Sequence, residues 1–188
     1  MSRKAWIIIG VVAVVAILSI SFVVSGFNQA RRMNEAVSAQ WAQVENQLKR
    51  RFDLIPNLVE TVKGYATQEK TVFLGIAEAR KAYFSAQDVP GKAKAAGQLE
   101  GALSRLLLLQ ERYPELKSNE NFMKLQDSLE GTENRIAVER KRYNDMVREL
   151  NVYTKTFPGM FFASWAGVKE TQYFDIPKAE EAAPQVRF

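Results

Sequence analysis

The stretch VSAQWAQVENQLKRRFDLIPNLVETVKGY, Val37 to Tyr65, decides how this chain folds. Val37, Trp41, Val44, Leu48, Ile55, Leu58, Val62 and Tyr65 recur at spacings of three and four, apart from one gap. That spacing lines one face of an α-helix and predicts a helix from about Asn28 to Gly64. The gap falls at Arg51, the last of three consecutive cations with Lys49 and Arg50, and Pro56 lies little more than a turn further on. A proline in a helix interior removes a backbone donor and crowds the preceding turn, at a cost of about 3 kcal/mol. The reading is a helix kinked at Pro56, or one that bends gently there with no functional meaning. Asp53 stands where it could accept from backbone donors at the restart, and Asn57 is available to the groups left unpaired.

Toward the N-terminus the helical period vanishes. AWIIIGVVAVVAILSISFVV, Ala5 to Val24, carries no charge, and at about 1.5 Å per residue its length matches a hydrocarbon core of about 30 Å. Trp6, Ile7, Val11, Val15, Leu18 and Phe22 are thus transmembrane candidates, with Trp6 at an edge that suits an interfacial anchor. The competing reading is a cleaved signal peptide. Its apolar region would normally be only about 7–15 residues, and Val24, Ser25, Gly26 fits a cleavage site poorly. An uncleaved single-pass anchor is the expectation. Arg3 and Lys4 before the run balance Arg31 and Arg32 after it, so charge bias does not set the orientation.

Toward the C-terminus three more helical segments follow. The second carries Phe73, Ile76, Ala79 or Ala82, and Tyr83, and DVPG, Asp88 to Gly91, reads as its terminator. The third carries Leu99, Leu103, Leu106, Gln110 and Tyr113, and Pro114 ends it because the residue before a proline avoids helical geometry. Ser118 or Asn119 can cap the fourth. There Leu129, Ile136, Tyr143, Leu150 and Phe157 fall every seventh residue, interleaved with Leu125, Thr132, Glu139, Met146 and Tyr153. This doubled register suits a coiled-coil or bundle seam. Four such segments joined by short turns predict an all-α protein, an antiparallel up-and-down four-helix bundle that buries its apolar stripes within one chain.

In such a bundle the first and fourth helices run in opposite directions, and facing positions have numbers adding to about 185. Arg51 and Glu139, the charged interruptions of the two seams, are expected to form a structural ion pair that fixes register. The alternative turns both outward as a solvated face. Lys49 and Arg50, with Arg140, Lys141, Arg142 and Arg148, would form a basic belt around the middle.

Beyond the fourth helix, FPGMFFASWAGVKETQYFDIP, Phe157 to Pro177, is too broken by polar residues to span a bilayer. Alternating helix directions return it to where the anchor emerges. Phe157, Met160, Phe161, Phe162, Trp165, Tyr173 and Phe174 are candidates for a membrane-interface contact, a contact with a second protomer, or a cover for the base of the same bundle. The expected division is an anchor at 1–27, a bundle at 28–157, an aromatic interfacial segment at 158–177 and a flexible tail at 178–188.

Composition bounds the chemistry. In 188 residues there is no cysteine and no histidine, which removes disulfides, thiol and imidazole catalysis and the usual zinc and di-iron sites. Glu133 and Glu139 could serve acid–base chemistry, but salt bridging explains them more simply. No catalytic, metal or cofactor site is expected. The net charge of +5 is modest, and its cations interleave with acids, which argues against nucleic acid as a partner.

VENQLKRRFDLIPNLVETVKGYA (Val44 to Ala66), RYPELKSNENFMKLQDSLEGTENRIAVERKRYNDMVRELN (Arg112 to Asn151), Phe157 with Pro158, and Tyr173 with Phe174 together resemble the LemA family. The resemblance implies a single-pass, N-terminally anchored bacterial membrane protein whose soluble part is an antiparallel four-helix bundle, with no accepted active site. It also implies a link, through a magnetosome-associated branch, to the making of intracellular membranes. Some members carry a lipid-modified cysteine just after the apolar run. Here Phe27 follows Ser25 and Gly26, so the helix alone must anchor. The lipidated members imply a bundle on the periplasmic or outer side of the cytoplasmic membrane. The expected function is a non-enzymatic scaffold that self-associates and organises or shapes the membrane. The alternative is an adaptor that holds another envelope protein through the basic face. Expected partners are the lipid bilayer, further copies of this chain and, in the adaptor reading, that envelope protein.

Overall fold

The computed structural model describes residues 3–175, and every regular element among them is helical, with no strand. The elements are α1 (Arg3–Lys63), α2 (Lys70–Ser85), α3 (Val89–Leu107), α4 (Leu109–Arg112), α5 (Pro114–Lys117), α6 (Glu120–Lys155) and α7 (Gly159–Trp165). The expected tail at 178–188 lies outside the described residues, as do Ile176 and Pro177. The described chain divides into two compact units, one of residues 3–41 with 144–171, the other of 42–143 with 172–175.

In the first unit α1 is bare at its start. From Trp6 to Phe22 its large apolar side chains are exposed, and this is the one helix among the described residues long and apolar enough to cross a membrane, with a mean hydropathy of 3.1 over its most apolar 18 residues. Trp6, Ile7, Val11, Val15, Leu18 and Phe22 all lie on it, exposed. Burial begins at Gly26 and recurs at Ala30 and Val37, the spacing of one helix face.

In the second unit α1 presents Val44, Leu48, Phe52, Ile55, Leu58 and Val62, each nearly or fully buried, beside Arg51. Trp41 is only half-buried and Tyr65 is exposed, so the apolar face is narrower at its ends than the spacing implied. Phe52, which the spacing passed over, stacks on Tyr83 of α2 with ring centroids 4.3 Å apart. Helix α2 packs on α3, and buries Val72, Ile76, Ala79 and Tyr83, so Val72 takes the place expected for Phe73. The opposing face of α3 is rich in alanine, with Ala93, Ala96 and Ala102 between Leu99, Leu103 and Leu106, which lets the two helices approach closely.

Three boundaries differ from the expected ones. Helix α2 already stops at Ser85, and Asp88 begins α3: its carboxylate accepts the Gly91 N–H at 3.2 Å, with Pro90 in the first turn. The third helix breaks at Leu108, so the buried residue of the next turn is Leu109 and not Gln110, and Pro114 opens α5. Asn119 caps α6, accepting the Phe122 N–H at 2.9 Å. Helix α6 then buries Leu129, Thr132, Ile136, Tyr143 and Leu150 as its seam, but ends at Lys155, so Phe157 drops out of the seam and is 80% exposed.

Pro56, the expected kink position, lies inside α1. Helix α1 continues through Pro56 to Lys63 without a restart. Asp53 and Asn57 are exposed and cap nothing; Asn57 contributes only its backbone carbonyl, which accepts from the Thr61 hydroxyl at 2.9 Å. The ring leaves the Phe52 carbonyl without its ladder partner, a loss the surrounding buried face of α1 tolerates.

Candidate functional site

The candidate site lies where the apolar run of α1 ends. Phe22 and Gly26 lie one turn apart on one face of α1. The Phe162 ring of α7 stands edge-on to Phe22, with centroids 5.5 Å apart, and covers Gly26 so closely that a Cβ there would come within 2.2 Å of the ring. Only glycine admits this approach. The Tyr153 hydroxyl, near the end of α6, donates to the Gly26 carbonyl at 2.8 Å, and burial raises the pKa of this phenol.

The segment after α6 is shaped to reach this seat. The chain leaves α6 at Lys155, passes the cis Phe157–Pro158 peptide and enters α7 at Gly159. At the far end of α7, Gly167 takes φ +69°, and the Val168 N–H donates to the Ala163 carbonyl while the Gly167 N–H donates to that of Ser164. This left-handed termination turns the backbone around. Thr171 is then held by Asn151 of α6 through two reciprocal bonds of 2.9 Å, the side-chain amide donating to the Thr171 carbonyl and the side-chain oxygen accepting its N–H. Lys155 and Glu170 close the loop with a 2.8 Å ion pair, exposed and worth at most about 1 kcal/mol.

The aromatic candidates therefore separate. Phe162 is buried in this seat. Phe157, Met160, Phe161 and Trp165 are exposed on the other side of α7, with Phe157 and Phe161 in edge contact at 6.0 Å. Tyr173 and Phe174 belong to the second unit, Phe174 fully buried and Tyr173 exposed, near the point where the Tyr143 hydroxyl donates to the Gln172 carbonyl at 3.0 Å. Sequence reading missed Gly26 and Tyr153 as members of a site. Their signal was faint: a glycine directly after an apolar run, and a tyrosine in the last turn of the seam.

In the second unit Arg51 is buried, and it donates to Glu133, not to Glu139 as expected. Glu139 accepts from Arg142 at 2.9 Å, three residues further along α6. Arg51–Glu133 and Tyr65–Asn119, the latter at 3.0 Å, share one number sum that falls within one of the expected value, so α1 and α6 run antiparallel here. A second bridge joins Glu45 of α1 to Lys92 of α3. Among the proposed belt, Lys49, Arg50, Lys141, Arg142 and Arg148 are exposed and Arg140 is half-buried; Arg148 is bridged to Asp145 at 3.4 Å. No group of three or more acids that could hold a metal occurs among the described residues.

The family model of the LemA family matches residues 40–188. Magnetosome proteins MamQ 1 and MamQ 2 of Paramagnetospirillum magneticum are each 26% identical over 196 residues, covering 90% of this chain and 71% of the relative. Magnetosome protein MamQ of Magnetospirillum gryphiswaldense is 26% identical over 174 residues, covering 79% of this chain and 64% of the relative. A match over that much of its length has one reading: the chain belongs to the LemA family.

Proposed function

We propose that this protein is a single-pass, membrane-anchored, non-enzymatic scaffold whose antiparallel four-helix bundle self-associates to organise or shape a bacterial cytoplasmic membrane. The observation that carries this reading is the junction at Gly26. The apolar run does not end in a loose linker; α1 continues from it as a helix, and the Gly26 carbonyl and the ring of Phe22 are engaged by Tyr153 and Phe162. An anchor tied to the folded chain in this way restricts how copies meet in the plane of a membrane, where confinement raises the avidity of weak contacts. The magnetosome proteins to which the chain is similar are compatible with a role at an internal membrane.

Adaptor use of the basic belt has less behind it. Two of its cations, Arg142 and Arg148, already face carboxylates on their own helix. Extraction in mild detergent followed by mass measurement of the intact particle tests the scaffold: a defined multiple of the chain mass is expected. A monomer carrying a different co-purifying protein would favour the adaptor, and a bare monomer would remove self-association.

A further inference from the structure

We propose that α7, with Phe157 just ahead of it, lies within the interfacial layer of the bilayer as a short wedge held on the last turn of the membrane span, with lipid as the occupant of its outer face. The proposal rests on reading α1 as spanning the bilayer, and it adds a second, independent point of membrane contact.

The level of the seat supplies the first argument. Phe162 touches Phe22, and Phe22 lies inside the apolar run that ends at Val24. At about 1.5 Å per residue, the contact sits about 3 Å inside the apolar end of the span. A helix seated there cannot stand in bulk water while Phe22 stands in hydrocarbon.

Chemistry of the outer face supplies the second. Phe157, Met160, Phe161 and Trp165 are 80%, 44%, 55% and 71% exposed, and no charge occurs from Phe157 to Val168. Grouped exposed aromatic side chains of this kind mark an interaction surface, and Trp and Phe favour the headgroup boundary. Phe22, which meets α7 through Phe162, is itself 59% exposed, so the span surface beside the seat is open to the same apolar surroundings.

Polarity then changes where a headgroup layer would lie. A cleft of about 470 Å³ beside α7 has Met160 and Val168 on one part of its lining and Thr154, Ser164, Lys169 and Glu170 on the rest. Such a mixed lining suits the boundary between acyl chain and headgroup.

Fluorescence of the full chain tests this. With Trp6→Phe and Trp41→Phe, Trp165 is the sole indole, and the protein is reconstituted into phosphatidylcholine vesicles brominated either near the headgroup end or near the methyl end of the acyl chain. Trp165 emission is expected to shift to the blue, to be quenched more by the shallow bromines than by the deep ones, and to resist aqueous iodide. A second reporter, Val15→Trp with all three native tryptophans changed to Phe, should be quenched most by the deep bromines. If iodide quenches Trp165 and neither lipid does, while the Val15→Trp reporter stays deep, the wedge is overturned and the span stands. If Trp165 resists both iodide and bromine, protein covers it and the wedge is again overturned. A Val15→Trp reporter found in water overturns the span and the wedge together. Adding Gly26→Leu, which places a side chain where the Phe162 ring sits, should abolish the shallow preference; an unchanged depth profile would overturn the seat as what sets the position of α7.

Discussion

Arg51 shows how much one residue can specify. Its side chain is 9% exposed while that of Glu133 is 38% exposed, so the two ends of the pair are not equivalent. Replacing Glu133 leaves a buried guanidinium without its carboxylate, whereas replacing Arg51 leaves a carboxylate that water already reaches. Glu133→Gln is therefore expected to cost about 2 kcal/mol in denaturant unfolding, more than Arg51→Met. A double-mutant cycle should find coupling between Arg51 and Glu133 and none between Arg51 and Glu139. The break in the α1 ladder was legible in the sequence; its partner was not, because an arginine is long enough to reach sideways past the seam residue Thr132 to Glu133. The tyrosines carry a second prediction. Burial raises Tyr143 to about 12, and burial with the nearby Glu45 carboxylate raises Tyr83 to about 12. Both are neutral acids whose folded pKa exceeds the unfolded value of 10.0, so their contribution is complete below pH 10 and is lost as pH rises toward 12. Stability measured against pH should fall across that window, and Tyr143→Phe should flatten the fall.

Among the elements, two glycines inside helices make a matched pair. A Cβ at Gly101 of α3 would meet nothing within 4 Å, while one at Gly26 of α1 would meet the Phe162 ring. Gly101→Ala is expected to raise stability by about 0.5–1 kcal/mol through helix propensity alone. Gly26→Ala gains the same propensity yet is expected to lose about 1–3 kcal/mol net from overpacking, and thermal unfolding of the two variants in one detergent reads the difference. The long helices were legible because their apolar spacing repeats over many turns. Their junctions were harder: Asp88 and Pro90 are as good at opening a helix as at closing one, and only the Gly91 N–H on the Asp88 carboxylate decides between them. Helix α7 left no periodic trace, being 7 residues long.

For the whole molecule, the outer-side location of the bundle that the family resemblance implies can be tested cleanly because the chain has no cysteine of its own. Lys81→Cys, at an exposed position of α2, should react with a membrane-impermeant maleimide in cells whose outer membrane alone has been opened, to the same extent as after full lysis. Labelling only after lysis would put the bundle on the cytoplasmic side. The aromatic segment was recognisable from sequence as apolar, yet its division between buried Phe162 and Phe174 and exposed Phe157, Phe161 and Trp165 depended on which rings find a seat, and no linear pattern encodes that. The seat at Gly26 has a bearing on processing. A leader peptidase cutting after that residue would have to work at a carbonyl already claimed by Tyr153 and roofed by an aromatic ring, and the released remainder would lose part of its own interior. A chain cut after Gly26 is therefore expected to bare the Phe162 ring and to leave the Tyr153 hydroxyl without its acceptor, and a drop in thermal stability on removing residues 1–26 would show it.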